Sequence, residues 1–168
     1  MELQEINHKL KETRDDLLVL LARLNEEQLI KRKDSDSWSI AQIFQHLSKT
    51  EELYSIAIKR GLKTDEDSIM EHKSMDVLID RSNKLEAPDM VIPVDETLDH
   101  NEIIARLRNS REKLHAILNA VEDPSILSRR SFVHPVFKEM LLIDWVESLY
   151  VHEQRHMKQI NEILNECK

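Results

Sequence analysis

The stretch LIDWVESLYVHEQRHMKQINEI, residues 142–163, has the clearest hydrophobic pattern in the chain. Its buried-type residues recur every three or four positions, which predicts one long amphipathic helix that starts near Glu139 and runs almost to the last residue. Two histidines take positions in this stripe, where apolar side chains stand in the neighbouring turns. The stripe consists of Leu142, Trp145, Leu149, His152, His156, Ile160 and Ile163.

Three further stretches show the same period of three to four residues. Ser39 and Gln42 form an S-x-x-Q capping box at the start of the second of them, and Gly61 is placed to end that helix as a C-cap residue. The three predicted helices cover about residues 2–25, 39–61 and 101–121.

The segments between these helices differ in character. Residues 62–99 contain two prolines and predict a long irregular connection, with a helix over part of residues 66–84. Residues 128–139 predict a loop. The sequence therefore predicts a single all-α domain over residues 1–168. Its architecture is a four-helix bundle with a long connection between helices two and three.

The charge of the chain excludes some classes of function. The 24 Lys and Arg residues against 32 Asp and Glu residues give a net charge of -8, which opposes binding to nucleic acid. No apolar run approaches the roughly 20 residues of a membrane span. A single cysteine, Cys167, excludes an internal disulfide and favours a reducing compartment. These features predict a soluble, cytoplasmic protein with no nucleic-acid or membrane partner.

The two histidines of the last helix need an explanation, because burying an imidazole without a partner costs about 1–3 kcal/mol. His152 and His156 lie one turn apart on the same face, so both rings can reach one metal ion. His46, at the edge of the apolar stripe of the second helix, is the best candidate for a third ligand. The alternative to metal binding is that these histidines lie in the core or at its rim and hydrogen-bond to carbonyl groups.

The string from His152 to His156 is also H-E-x-x-H, the zinc-protease motif in which the glutamate acts as general base. The rest of the chain does not fit that class. Gln159 stands where the extended motif requires glycine, and only twelve residues follow His156, so no separate downstream helix can supply the third ligand. Only the spacing of the two histidines is therefore informative.

Two polar residues are candidates for a supporting role around the ligands. Glu153 lies about 60° from His156 around the helix and could accept a hydrogen bond from an imidazole N–H. The alternative for Glu153 is an ion pair with a Lys or Arg of the first helix. Gln42, one turn before His46, is a candidate for the same supporting role.

Three segments together resemble the DinB-like family of metalloenzymes: SWSIAQIFQHLSKTEELY at 37–54, HPVFKEMLLIDW at 134–145 and VHEQRHMKQINEIL at 151–164. The resemblance implies a four-helix bundle, often a homodimer, with a zinc or nickel ion held by His46, His152 and His156. Relatives commonly carry glycine where this chain has Lys138, so the local turn is expected to differ.

The resemblance also implies a reaction. Characterised relatives transfer a low-molecular-weight thiol such as bacillithiol to an electrophilic small molecule, and an ion with three histidine ligands can deprotonate a coordinated thiol. Two alternatives stay open at this point. One is a hydrolase that uses metal-bound water. The other is a non-catalytic, stress-linked helical dimer module.

Overall fold

The computed structural model describes residues 1–166, and Cys167 lies outside them. Four long helices form a bundle, as predicted. In it, α3 packs against both α5 and α6, and α1 packs against α6. These helices are α1 (Leu3–Ala22), α3 (Ile40–Gly61), α5 (His100–Asn119) and α6 (Leu142–Glu166), with two four-residue helices, α2 (Glu26–Leu29) and α4 (Asp76–Ile79), between them. None of the described helices is both long enough and apolar enough to cross a membrane.

The capping box predicted for α3 is present. Ser39 Oγ accepts a hydrogen bond from the Gln42 backbone N–H at 3.1 Å, and Gln42 Oε1 accepts one from the Ser39 N–H at 2.9 Å. The prediction for the other end of α3 was wrong, since the C-cap is Leu62 and Gly61 is the last helical residue. Gly61 serves packing instead, because a Cβ there would overlap the buried side chain of Leu142.

The predicted loop before α6 is in fact a β-hairpin, so α6 starts at Leu142 and not near Glu139. Strands β1 (Ser131–His134) and β2 (Lys138–Leu141) pair antiparallel, with His134 opposite Lys138. Two strands of four residues are too short for their alternation to stand out beside a long helix. Lys138 has φ 63°, in the left-handed region that favours glycine, so the hairpin turn holds a lysine in a conformation that glycine adopts more readily.

The connection over residues 62–99 contains α4 and a short 3-10 turn at Asp89–Val91, and it is otherwise irregular. It is fixed to the bundle by buried side chains of the long helices. Arg155 donates hydrogen bonds to the carbonyl oxygens of Leu78, Asp80 and Asn83, at 3.0, 2.9 and 2.5 Å. The predicted helix within residues 66–84 is thus only the single turn of α4.

The apolar core has two parts with a charged layer between them. One part surrounds Trp145, and the other surrounds Phe44. The layer contains a set of ion-paired side chains, one from each long helix, which we call the four-charge cluster: Arg14, Glu51, Arg111 and Glu153. All four side chains are buried. Sequence periodicity did not predict this layer.

Candidate metal centre

Three histidines from two helices meet at one point. The Nε2 atom of His152 lies 3.0 Å from the Nε2 atom of His46 and 3.0 Å from that of His156. The three candidate donor atoms all lie within 4.8 Å of one another. His46 and His156 are buried, and His152 is partly exposed. The structure thus brings together the three residues that the sequence singled out.

The two 3.0 Å separations between these nitrogens fit a common metal ion. Two imidazole nitrogens bound at about 2.0–2.1 Å, at angles between about 90° and 110°, lie about 2.8–3.4 Å apart. Direct hydrogen bonding cannot satisfy all three rings, because each neutral imidazole has a single N–H. A cation at the shared point would satisfy every lone pair that faces it.

Hydrogen bonds on the far side of two rings set their tautomers. His46 Nδ1 lies 2.8 Å from the carbonyl oxygen of Val91, which can only accept a hydrogen bond. His156 Nδ1 lies 2.7 Å from Gln159 Oε1. The proton of each ring is therefore on Nδ1, and each Nε2 presents a free lone pair to the centre. Buried metal-binding histidines are commonly held in this way.

The electrostatic surroundings keep these rings neutral. Burial lowers the pKa of His46 to about 4. Burial first, and then neighbouring histidines, hold the pKa of His152 and of His156 well below the ordinary value. Protons therefore do not compete for the three nitrogens near neutral pH, which is the state that metal coordination requires.

Glu153 does not support the histidines. Its Oε1 atom accepts hydrogen bonds at 2.9 Å from Arg14 Nε and at 2.9 Å from Arg111 Nη2. Burial raises the pKa of Glu153, and the two guanidinium groups act in the opposite direction. The structure therefore favours the alternative given for this residue, an ion pair with an arginine of the first helix.

Gln42 does not contact the ligands through its side-chain oxygen either, since this atom accepts the capping hydrogen bond from Ser39. The groups that hold the rings are Val91 and Gln159, and neither was predicted. For Gln159 a signal was present, because a glutamine three residues after a helical histidine can reach its ring. For Val91 there was none, because the acceptor is a backbone atom of a distant segment.

A second aromatic and polar group is formed by one residue each from α3, α6 and the hairpin. Tyr54 Oη is 2.6 Å from His134 Nε2, and the ring of Trp145 packs against both residues. His134 Nδ1 accepts hydrogen bonds from two backbone N–H groups of the hairpin turn, so the ring is neutral. Burial lowers its pKa to about 4.

Trp38, in contrast, packs on the ring of His46 itself, with centroids 4.8 Å apart.

The donor set consists of histidines alone. Within residues 1–166, no carboxylate and no thiol joins the three imidazoles in the cluster. A divalent ion held there would keep its full charge and would have coordination positions left for a substrate.

Comparisons with known proteins place this geometry in a family. A family model described as the DinB superfamily matches residues 9–160. The uncharacterized protein YuaE of Bacillus subtilis (strain 168) is 29% identical over 143 residues, which cover 85% of this chain and 87% of YuaE.

Two solved structures share the fold. TT2238, described as a four-helix bundle protein, matches with a TM-score of 0.64 and 19% identity, over 95% of this chain and 98% of that one. YfiT from Bacillus subtilis, described as a probable metal-dependent hydrolase with an unusual four-helix bundle topology, matches with a TM-score of 0.64 and 17% identity. That match covers 99% of this chain and 90% of YfiT.

Proposed function

This chain belongs to the DinB superfamily, and on that premise we propose that it is a metal-dependent enzyme whose divalent ion is held by His46, His152 and His156. Zinc and nickel are the ions we propose first, because both accept imidazole ligands readily. The observation that carries the proposal is the convergence of three neutral imidazoles whose Nε2 atoms lie 3.0 Å from one to the next.

We propose that the reaction is transfer of a low-molecular-weight thiol, such as bacillithiol, to an electrophilic carbon. The sulfur forms a bond to that carbon, the leaving group departs with its electron pair, and the thiol proton passes to solvent. A divalent ion in the site would supply the positive charge that lowers the pKa of a coordinated thiol. His46, His152 and His156 would orient that ion, and the ring of Trp38 covers one side of His46.

The surroundings of the three histidines favour a thiol over water as nucleophile. Water is a weaker acid than a thiol, so hydrolysis depends more strongly on a nearby general base. The glutamate of the H-E-x-x-H string would be that base, but it is buried in the four-charge cluster, where its Oε1 accepts hydrogen bonds from Arg14 and Arg111. A thiol, with an ordinary pKa of about 8.5, has less need of such a base.

Hydrolysis is the second candidate, because YfiT, which shares the fold, is described as a probable metal-dependent hydrolase. The implied homodimer remains a prediction. So does the third possibility, a stress-linked module without catalysis.

One experiment separates the first two reactions. Protein loaded with zinc or nickel is incubated with bacillithiol and a chloro-dinitro aromatic, and in parallel with an activated ester and no thiol. We expect thiol-dependent product that is lost in His46→Ala and kept in His8→Ala, whose histidine is exposed on α1. Ester cleavage that is lost in the same variant would assign hydrolysis instead. Equal rates with and without protein in both assays would contradict an enzyme of either kind.

A further inference from the structure

The four-charge cluster has a regular relation to the helices that carry the histidines. Both of its acids come from those helices: Glu51 from α3, five residues after His46, and Glu153 from α6, directly after His152. Its two arginines come from α1 and α5, which carry none of the three ligands. Each ligand-bearing helix is therefore ion-paired to both of the helices that have no ligand.

Every arginine of the cluster joins both ligand-bearing helices. Arg111 donates from Nε to Glu51 Oε2 at 2.8 Å and from Nη2 to Glu153 Oε1 at 2.9 Å. Arg14 donates from Nη2 to Glu51 Oε1 at 3.1 Å and from Nε to Glu153 Oε1 at 2.9 Å. The guanidinium plane fixes the directions of these bonds, so the rotation of α3 relative to α6 is fixed as well.

Each of the two arginines also donates a hydrogen bond to a backbone carbonyl oxygen of the helix that carries the other arginine. Arg14 Nη1 donates to the carbonyl oxygen of Leu107 on α5 at 2.7 Å, and Arg111 Nη1 donates to that of Leu10 on α1 at 2.8 Å. These reciprocal bonds join α1 to α5, which otherwise have little direct contact. The cluster therefore connects all four long helices in one layer of the bundle.

We propose that the four-charge cluster positions the metal ligands, with Glu153 as its central positioning residue. The inference rests on the proposed metal site and deepens it. Glu153 lies between His152 and His156 in sequence, so any rotation of α6 that its ion pairs prevent would turn both rings away from His46. Buried ion pairs add little net stability compared with well-packed apolar side chains, but they can select one arrangement of helices. The expected effect is therefore on metal affinity more than on folding.

The test replaces the cluster with apolar side chains of similar size: Arg14→Met, Glu51→Leu, Arg111→Met and Glu153→Leu in one protein. Unfolding by urea is expected to show stability close to that of the wild type. The affinity for Co²⁺, measured by chelator competition, is expected to fall roughly 10- to 100-fold, as for other groups that orient metal ligands. The visible absorption bands of bound Co²⁺ should also change, because they report the geometry of its ligands.

Two controls separate positioning from stability. Glu162→Gln, on the same helix as Glu153, removes a surface ion pair with Arg81 of the connection and should leave Co²⁺ affinity unchanged. Leu114→Ala creates a cavity in the core, should lower the urea midpoint of unfolding, and should leave the affinity unchanged in the folded protein. If the fourfold variant does not fold, Glu153→Gln and Arg111→Lys take its place with the same measurements.

A metal-free measurement keeps this inference distinct from the proposed function. Long-range proton–nitrogen spectra of the chelator-treated protein report which ring nitrogen carries the proton. The wild type should show the Nδ1–H form for His46 and His156, and the cluster variants should show mixed signals. Wild-type protein that binds no Co²⁺ would contradict the proposed function alone. Unchanged ring signals and unchanged Co²⁺ affinity in folded cluster variants would overturn the positioning role.

Discussion

The Nδ1 atom of His46 lies 2.8 Å from the carbonyl oxygen of Val91, a residue of the long connection between α3 and α5. This contact makes the irregular connection part of the candidate metal centre, because it sets the tautomer of one of the three rings. Arg155, next to His156, holds the same connection through the carbonyl oxygens of Leu78, Asp80 and Asn83. The site is therefore built by two helices and the segment that covers them.

Removal of the acceptor of His156 should weaken metal binding without unfolding the protein. Gln159→Leu deletes the oxygen that lies 2.7 Å from His156 Nδ1, so the ring loses its fixed tautomer and orientation. We expect metal affinity to fall roughly 10- to 100-fold, measured by chelator competition. Gln154→Leu, an exposed position on the same helix, is the matched control. Equal affinity in the two variants would show that Gln159 has no part in orienting the ring.

Arg155→Met should open the connection locally. The variant loses three hydrogen bonds from a charged donor to carbonyl oxygens of residues 78–83. A loss of about 2 kcal/mol in local stability corresponds to roughly 30-fold faster amide exchange there, measured by mass spectrometry. Lys158→Met, which changes an exposed residue of α6, should leave exchange unchanged. Exchange that accelerates equally throughout the helices would point to global destabilisation instead.

The stability of the protein should fall in mild acid partly through His134. Burial lowers the pKa of this ring to about 4, whereas the unfolded chain takes up a proton near pH 6.5. Protonation thus favours the unfolded state, so the contribution of His134 is complete above about pH 6.5 and is lost as the pH falls towards 4. At pH 5 the loss is about 2 kcal/mol.

The check for His134 is urea unfolding at pH 7.5 and pH 5.0 with a chelator present. His134→Gln is expected to have lower stability at both pH values, because it loses the hydrogen bond to Tyr54, but a smaller difference between them. An unchanged difference in the variant would show that this ring takes no part in the acid sensitivity.

Lys138→Gly should stabilise the hairpin. The φ of 63° at Lys138 is unfavourable for any residue with a Cβ, by roughly 1–2 kcal/mol. Glycine removes that cost but is more flexible when unfolded, so we expect a net gain of about 1 kcal/mol in urea unfolding. Glu139→Gly, at the next position, has no such conformation to relieve and should destabilise. A loss of stability in Lys138→Gly would contradict the assignment of strain to this turn.

The parts of the structure that could be predicted from sequence are those set by local pattern. The period of three to four residues gave the four long helices, and the capping box at Ser39 gave the start of α3. The candidate ligands could be predicted because histidines at core positions break the pattern of the stripe. His152 and His156 stand out for that reason, and His46 does so less strongly.

The remaining features depend on tertiary contacts that a sequence pattern does not contain. Arginine and glutamate are normally solvent-exposed, so Arg14 and Glu153 look like surface residues until the helices are packed. Each strand of the hairpin has only four residues, and this is too short for an alternating pattern to predict a sheet. The contact of Val91 with His46 depends on the path of a connection that has almost no regular structure.

We propose that His46, His152 and His156 together hold one divalent ion. Untagged protein is dialysed against zinc or nickel, and bound metal is measured by elemental analysis for the wild type, His46→Ala, His152→Ala and the exposed-residue control His8→Ala. We expect about one ion per chain in the wild type and in His8→Ala, as for a single mononuclear site, and almost none in the other two variants. Full metal content in His46→Ala and His152→Ala would contradict it.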